Sequence, residues 1–261
     1  MSLKLAFLGT GTCNSTPRNP SALALSDGNE ILLIDCGGGC YHQLARLNDN
    51  HFRYNTISTI LLTHFHIDHV SGLADILWGE MWDKRSQRIE PITIAGPPGL
   101  VRFMNNHILP LIGNYSIPFK IISIDLEDGA IFKGSYFSAQ SFKVVHGDAA
   151  CGYLIDTGIK KLAITGDTGF CDNLVNLLSA SDIAVMEWSM ADYCDHPSHI
   201  SRTDIERLLN LKIFPSKTYF THIYPSPGTS FYEQVRFNRK ILNGYKKSFF
   251  FPQDLETTII D

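Results

Sequence analysis

Short β-prone runs recur along this chain, each closed by a polar residue of a type that does chemistry. Ile60-Leu61-Leu62-Thr63 runs into His64, Phe142-Lys143-Val144-Val145 into His146, and Leu162-Ala163-Ile164-Thr165-Gly166 into Asp167. Ile183-Ala184-Val185-Met186 runs into Glu187, and Thr218-Tyr219-Phe220-Thr221 into His222. Strands stacked in sheets bring their ends to a common rim, where loops carry functional side chains. Helical spacing fills the gaps: Val70, Leu73, Ile76-Leu77 and Met81 keep it, as do Leu174, Leu177 and Leu178. Ser201 to Glu206 supplies helix-start signals ahead of Leu208-Leu209. The strands are too numerous for a simple βαβ alternation, so the pattern predicts two sheets sandwiched between helical layers, a mixed α/β architecture. Trp78, Trp82, Phe231 and Tyr232 read first as core residues, with a substrate cleft or a dimer interface as the alternatives.

Composition narrows the class. The 261 residues, 44% apolar, support a sizeable core. With no repeat, low-complexity tract or long Pro/Ser linker, one domain over residues 1–261 is the expectation. No apolar run approaches the roughly 18 residues of a membrane span. The apolar opening Leu3 to Leu8 is short for a signal peptide and is cut by the turn-like Gly9-Thr10-Gly11, which makes a cytoplasmic location the default. Six scattered cysteines (Cys13, Cys36, Cys40, Cys151, Cys171, Cys194) form no CxxC pair and read as reduced thiols. The glycine-rich surroundings of Cys36 and Cys40 favour a turn over a metal site. With 22 Lys and Arg against 26 Asp and Glu, the net charge is −4, and the basic pairs, such as Lys84-Arg85 and Lys246-Lys247, are isolated. A protein gripping long nucleic acid shows a basic stripe, so the charge balance argues for a small substrate.

The densest chemistry lies in Thr63-His64-Phe65-His66-Ile67-Asp68-His69, three histidines and a carboxylate within six positions directly after an apolar run. On an extended segment His64 and His66 share a side, because side chains alternate. A helix starting near Ile67 turns Asp68 and His69 toward a neighbouring point. The spacing therefore suggests two adjacent metal ions. Imidazole and carboxylate ligands suit zinc best, with manganese and iron as substitutes. His42, His51, His107 and His196 have no such company and read as surface or structural residues. Asp35, ending Ile31-Leu32-Leu33-Ile34, is placed either to orient a ligand histidine or to cap the Gly37-Gly38-Gly39 turn.

His64-x-His66-x-Asp68-His69, followed in order by His146, Asp167 and His222, resembles the metallo-β-lactamase superfamily over nearly the whole length. The resemblance implies a four-layer αββα sandwich with two divalent metal ions at the sheet rim. It implies that His64, His66 and His146 hold one ion, that Asp68, His69 and His222 hold the other, and that Asp167 bridges them. Phe7-Leu8-Gly9-Thr10-Gly11-Thr12 with Pro17-Arg18, then Asp35-Cys36-Gly37 and Gln43-Leu44, look like the ribonuclease Z and phosphodiesterase branch. The segment Pro91 to Leu100 is similar to a strand and turn of the same branch, and Glu187 with His199-Ile200-Ser201 resembles its glutamate and His-Ser-Thr elements. There the histidine donates a proton and the glutamate orients it. The family also implies a homodimer.

One departure concerns the substrate. Ribonuclease Z enzymes carry a protruding arm for transfer RNA, which in the short bacterial forms lies between the counterparts of His146 and Asp167. Only twenty residues separate them here, room for a hairpin such as Gly152 to Lys161. Folded transfer RNA is therefore not expected as a partner, and a small phosphodiester or a (cyclic) nucleotide is. Two ions about 3.5–4 Å apart would lower the pKa of a shared water, with Asp68 beside it and His199, oriented by Glu187, as general acid. A lactonase, thioesterase or arylsulfatase on the same metals is the alternative, and a non-catalytic metal-binding accessory protein is another.

Overall fold

The computed structural model describes residues 2–14, 18–84, 88–190, 196–224 and 228–260. Pro17, Arg85 and Cys194 lie outside the described residues. Strands β1 (Leu3–Gly9), β2 (Ala22–Ser26), β3 (Ile31–Ile34), β4 (Ile57–Leu61), β5 (Ile92–Gly96) and β6 (Ile121–Asp125) pair in one sheet. Strands β7 (Ile131–Lys133), β8 (Ser138–Lys143), β9 (Cys151–Asp156), β10 (Lys161–Ile164), β11 (Ile183–Glu187), β12 (Lys217–Thr221) and β13 (Ser248–Phe250) pair in a second. The last strand, β14 (Thr257–Ile260), returns to the first sheet beside β1. The apolar opening of the chain is thus the buried strand β1.

The four layers follow from side-chain alternation within these runs. All four residues of β3 are buried. Ile31 and Leu33 join a core with the helices outside the first sheet, whereas Leu32 and Ile34 join a second core between the sheets. Strand β10 divides the same way: Leu162 and Ile164 face the first sheet, and Ala163 faces the outer helices of the second. A strand buried on both faces reads as a continuous apolar run, which is why these runs lacked a polar alternate. The outer helices are α1 (Cys40–Arg46), α2 (Ile67–Val70), α3 (Leu73–Trp82), α4 (Leu100–Phe103) and α5 (Leu109–Ile112) on one side. A π-helical turn, Met104–Ile108, joins α4 to α5. On the other side stand α6 (Asp172–Ser179), α7 (Arg202–Leu211) and α8 (Phe231–Ile241). The result is the αββα sandwich. Ser201 starts α7 as expected, by a reciprocal cap in which its hydroxyl accepts from the Asp204 N–H and Asp204 accepts from the Ser201 N–H.

The core reading of the aromatics needs correction. Trp78 and Trp82 are 41% and 51% exposed, and Tyr232 is 68% exposed. Ile76, Leu77 and Met81 take the inward face of α3, which leaves the two tryptophans, one turn apart, on its outer face beside Tyr115. Phe231 is half-buried, and the Arg18 guanidinium lies 3.9 Å from its ring centre.

Direction decides where the site forms. Strands β3 to β6 run parallel, as do β10 to β13. Parallel strands deliver all their carboxyl ends to one rim, the place where such sheets bind ligands. There the two sheets are stitched together: His64 bridges Ala150, the Cys151 N–H donates to Thr63 O at 2.9 Å, and the buried Tyr153 hydroxyl donates to Leu62 O at 2.7 Å. Tyr153→Phe removes only that hydroxyl and leaves a buried carbonyl short of its donor. It should cost about 1–3 kcal/mol, read as a lower urea midpoint at unchanged slope.

Candidate metal centre

Five of the predicted site residues sit just beyond, or at the end of, a rim strand, whereas His66 caps α2, Asp68 and His69 lie within it, and His199 precedes α7. His64 follows β4, His146 follows β8, Asp167 follows β10 and His222 follows β12, while Glu187 ends β11. Backbone conformation aims them. Asp35 and His222 hold φ of 58° and 53°, a left-handed region that Asp and His tolerate better than most residues. Gly166, at φ 57°, precedes Asp167, and a Cβ there would lie 2.6 Å from that of Thr63. Only glycine lets β10 pass the His64 segment so closely.

His64, His66, His146 and Asp167 offer ligand atoms within 4.8 Å of one another, and Asp68, His69 and His222 form a second such group. His66 is exposed and the others are buried. The Asp167 carboxylate lies between the groups: Oδ2 is 3.8 Å from His64 Nε2, 3.7 Å from His146 Nε2 and 3.5 Å from His222 Nε2, and Oδ1 is 3.4 Å from His69 Nε2. Nitrogens also face nitrogens, with His146 Nε2 2.9 Å from His66 Nδ1 and His69 Nε2 3.3 Å from His222 Nε2.

Partners on the far side of each ring determine which nitrogen carries the proton. His146 Nδ1 donates to the Ser198 carbonyl at 2.8 Å, and His69 Nδ1 to Asp35 Oδ2 at 2.7 Å. The Ser189 hydroxyl donates to His222 O, so it accepts from His222 Nδ1 at 3.0 Å. The Thr63 hydroxyl donates to Asp35, so it accepts from His64 Nδ1 at 3.0 Å. In their neutral form the four rings thus turn an unprotonated Nε2 inward, and His64 Nε2 is buried with no hydrogen-bond partner among the described residues. Lone pairs and carboxylates converging at these separations match the edge of a tetrahedron, about 3.3 Å for ligands about 2.0–2.1 Å from zinc. The outer hydrogen bonds are those that orient metal-binding histidines. The residues fit divalent metal ions.

Charge shows the same need. Burial, and then the neighbouring His69, hold the His64 imidazole below its ordinary pKa. Burial opposes the His69 cation too, yet the flanking charges of Asp167 and Asp35 outweigh it and raise that pKa. Burial disfavours the Asp68 carboxylate, but the His222 ring, its Nε2 3.2 Å from Oδ2, and the charge of His69 pull it below the usual range.

Glu187 and His199 stand beside this centre. His199 Nδ1 lies 3.1 Å from both Glu187 carboxylate oxygens, and Glu187 is itself held by the N–H of Thr168 at 2.6 Å. Burial works against the His199 cation, yet the Glu187 hydrogen bond and charge raise its pKa above the ordinary value. His199 also groups with Asp167 and His222, its ring 4.6 Å from that of His146. Asp35 takes the orienting role, accepting from both Thr63 and His69. Cys36 and Cys40 are buried thiols outside the ligand groups. Sequence reasoning missed Ser189 and Ser198, whose partners lie 33 and 52 positions away. It also set aside His107, which lines an open cleft of about 330 Å³ beside His66 and His146.

Among the described residues no helix is long and apolar enough to cross a membrane. A family model described as "Anti-Pycsar protein Apyc1" matches residues 3–225. Ribonuclease Z of Methanosarcina mazei is 31% identical over 152 residues, covering 58% of this chain and 47% of its own length. The chain spans about half the length of the ribonuclease Z relatives it matches. Among solved structures, the metallo-β-lactamase fold protein YhfI from Bacillus subtilis superposes with a TM-score of 0.78 at 15% identity, covering 99% of this chain and 100% of its own. The short form of human tRNase Z gives 0.74 at 21% identity, covering 98% of each. At these identities the structural likeness shows the fold alone. The family match over residues 3–225, with the ribonuclease Z relatives beside it, shows that the chain belongs to the anti-Pycsar protein Apyc1 family, in the ribonuclease Z and phosphodiesterase-like branch of the metallo-β-lactamase superfamily.

Proposed function

We propose that residues 1–261 act as one catalytic domain, a two-metal hydrolase that cleaves phosphodiester bonds in small phosphodiesters or cyclic nucleotides. The observation that carries this reading is the buried His199–Glu187 pair set against the histidine and aspartate cluster. Acyl hydrolysis on the same metals has less need of such a pair, whereas a departing alkoxide or ribose oxygen needs a proton. We assign His64, His66 and His146 to one ion, Asp68, His69 and His222 to the other, and Asp167 to both. Two bound divalent ions, zinc by the donor set, would supply an activated water and neutralise charge on the phosphoryl oxygens.

The protein's own groups do the rest. Asp68, ionised, orients the attacking water. Glu187 accepts a hydrogen bond from His199 Nδ1–H and so directs the Nε2 proton toward the leaving oxygen. The span from His146 to Asp167 is taken up by the β9–β10 hairpin, which supports a small substrate over a folded transfer RNA. A homodimer and a cytoplasmic location belong to the same reading and rest on the resemblance.

Three measurements test it. Chelation should abolish turnover of bis-p-nitrophenyl phosphate, and zinc should restore it. Turnover confined to lactones, thioesters or aryl sulfates would overturn the reading, as would two bound metals with no ester hydrolysed. His199→Ala should slow esters with alkyl leaving groups by about 10²–10⁴-fold and aryl esters far less; equal losses on both would remove His199 from the general-acid role. Asp35→Asn keeps a residue that tolerates the left-handed backbone but takes the charge from behind His69. It should weaken zinc binding by about 10–100-fold in chelator competition, with the far-ultraviolet spectrum unaltered.

A further inference from the structure

The outer face of the second helical layer carries a charge opposite to that of the whole chain. From Gln234 to Gln253 the sequence holds Arg236, Arg239, Lys240, Lys246 and Lys247 and no Asp or Glu, although the net charge is −4. All five cations are exposed. The one carboxylate of α8, Glu233, is taken up by the helix cap with Ser230. Helix α7 lies alongside, its Arg202 guanidinium 5.7 Å from the Phe237 ring centre. The ends of both helices meet around a cleft of about 400 Å³, where Lys212 joins Lys246 and Lys247 over Leu209 and Phe214. The fold thus gathers basic residues that stand apart along the chain. The side chains of Lys212, Arg236, Lys240, Lys246 and Lys247 have no hydrogen-bond or ion-pair partner among the described residues.

Apolar side chains are interleaved with these charges: Leu211 is 50% exposed, Phe237 41% and Tyr245 43%. Lys212 closes α7 at φ 58°, a left-handed position that glycine usually fills. A cation stands there against the preference of the backbone. The cleft lies just ahead of β12 and β13, at the rim opposite the metal centre. We propose that this face, formed by α7, α8 and the turn that follows, docks the protein on an anionic lipid bilayer. Lysine and arginine heads meet lipid phosphates, while aromatic and leucine side chains enter the boundary between headgroups and acyl chains. Lysine stems are apolar and lie along that boundary with their charges in the headgroups. A nucleic acid would match the charge but leave the hydrocarbon of Leu209 and Leu211 uncovered; a bilayer matches both. The inference is independent of the phosphodiesterase reading, and docking here keeps the metal centre clear of the lipid.

Sedimentation of the full chain with vesicles tests this. The protein should bind vesicles of phosphatidylglycerol and phosphatidylcholine but not phosphatidylcholine alone, and rising salt should release it. Each cation removed should weaken binding about fivefold, so Lys246→Ser and Lys247→Ser together should cost about 25-fold. Lys212→Gly removes a charge and relieves the left-handed backbone, so its loss of about fivefold could not come from unfolding. Phe237→Ser removes an exposed ring and no charge, and should also weaken binding. Lys120→Ser, at an exposed position ahead of β6 in the other sheet, should bind as the wild type does. Equal sedimentation with the two vesicle types would overturn the proposal, as would unchanged binding in the double variant, Lys212→Gly or Phe237→Ser. So would retention on a single-stranded RNA oligonucleotide by a protein that stays in the supernatant with the anionic vesicles.

Discussion

The rest of this structure depends on a buried centre built from acceptors. Four imidazoles turn a bare Nε2 inward because Thr63, Asp35, Ser198 and Ser189 take the proton on the other side of each ring. Between them lies the Asp167 carboxylate, 3% exposed. Lone pairs facing one another in a medium of low dielectric repel, and a buried carboxylate without a cation is costly. Something positive must occupy the centre. Asp167 and Asp35, on either side of His69, outweigh its burial and raise its pKa, the same pull toward positive charge. A proton answers one pair of acceptors; divalent ions would answer all of them, and their binding would add to the folding free energy of the rim.

That requirement explains an unusual backbone. Among the described residues four non-glycine positions have positive φ, and two of them, Asp35 and His222, belong to the centre. Such conformations cost about 1–3 kcal/mol each and persist where the surroundings over-determine them. The surroundings here are explicit. His222 is held by its N–H to Thr10 O and by Ser189 at both its ring and its carbonyl. Arg18 donates to Thr10 O and Ile223 O on either side of it. Thr10 in turn is pinned through its N–H and its hydroxyl by Asp254, near the C-terminal strand. The first loop and the last loop of the fold thus brace the residue that completes the second ligand group.

Much of this was legible in the sequence, for a physical reason. Strands buried on both faces leave no polar alternation, so the histidine or carboxylate that closes such a run marks the rim. His64, Asp167, Glu187 and His222 announce themselves that way, whereas β8 ahead of His146 alternates between buried and part-exposed positions. The His199–Glu187 contact was reachable because twelve positions separate the two and a family element marked each. Ser189 and Ser198 were not legible: a hydroxyl and a carbonyl acting across tens of residues carry no local spacing. The tryptophans of α3 misled because composition alone cannot say which face of a helix an apolar residue takes. Only the inward placement of Ile76, Leu77 and Met81 decides that.

The same logic separates the centre from the cleft beside it. The centre is assembled from strand ends whose cores hold them on both faces, so its geometry tolerates little change. The cleft is assembled from one helical stretch and one loop, with Arg102, His107 and Asp148 all exposed. Substitutions at the cleft alter contacts without disturbing the sheets, whereas a change at Asp167 touches every ligand group at once.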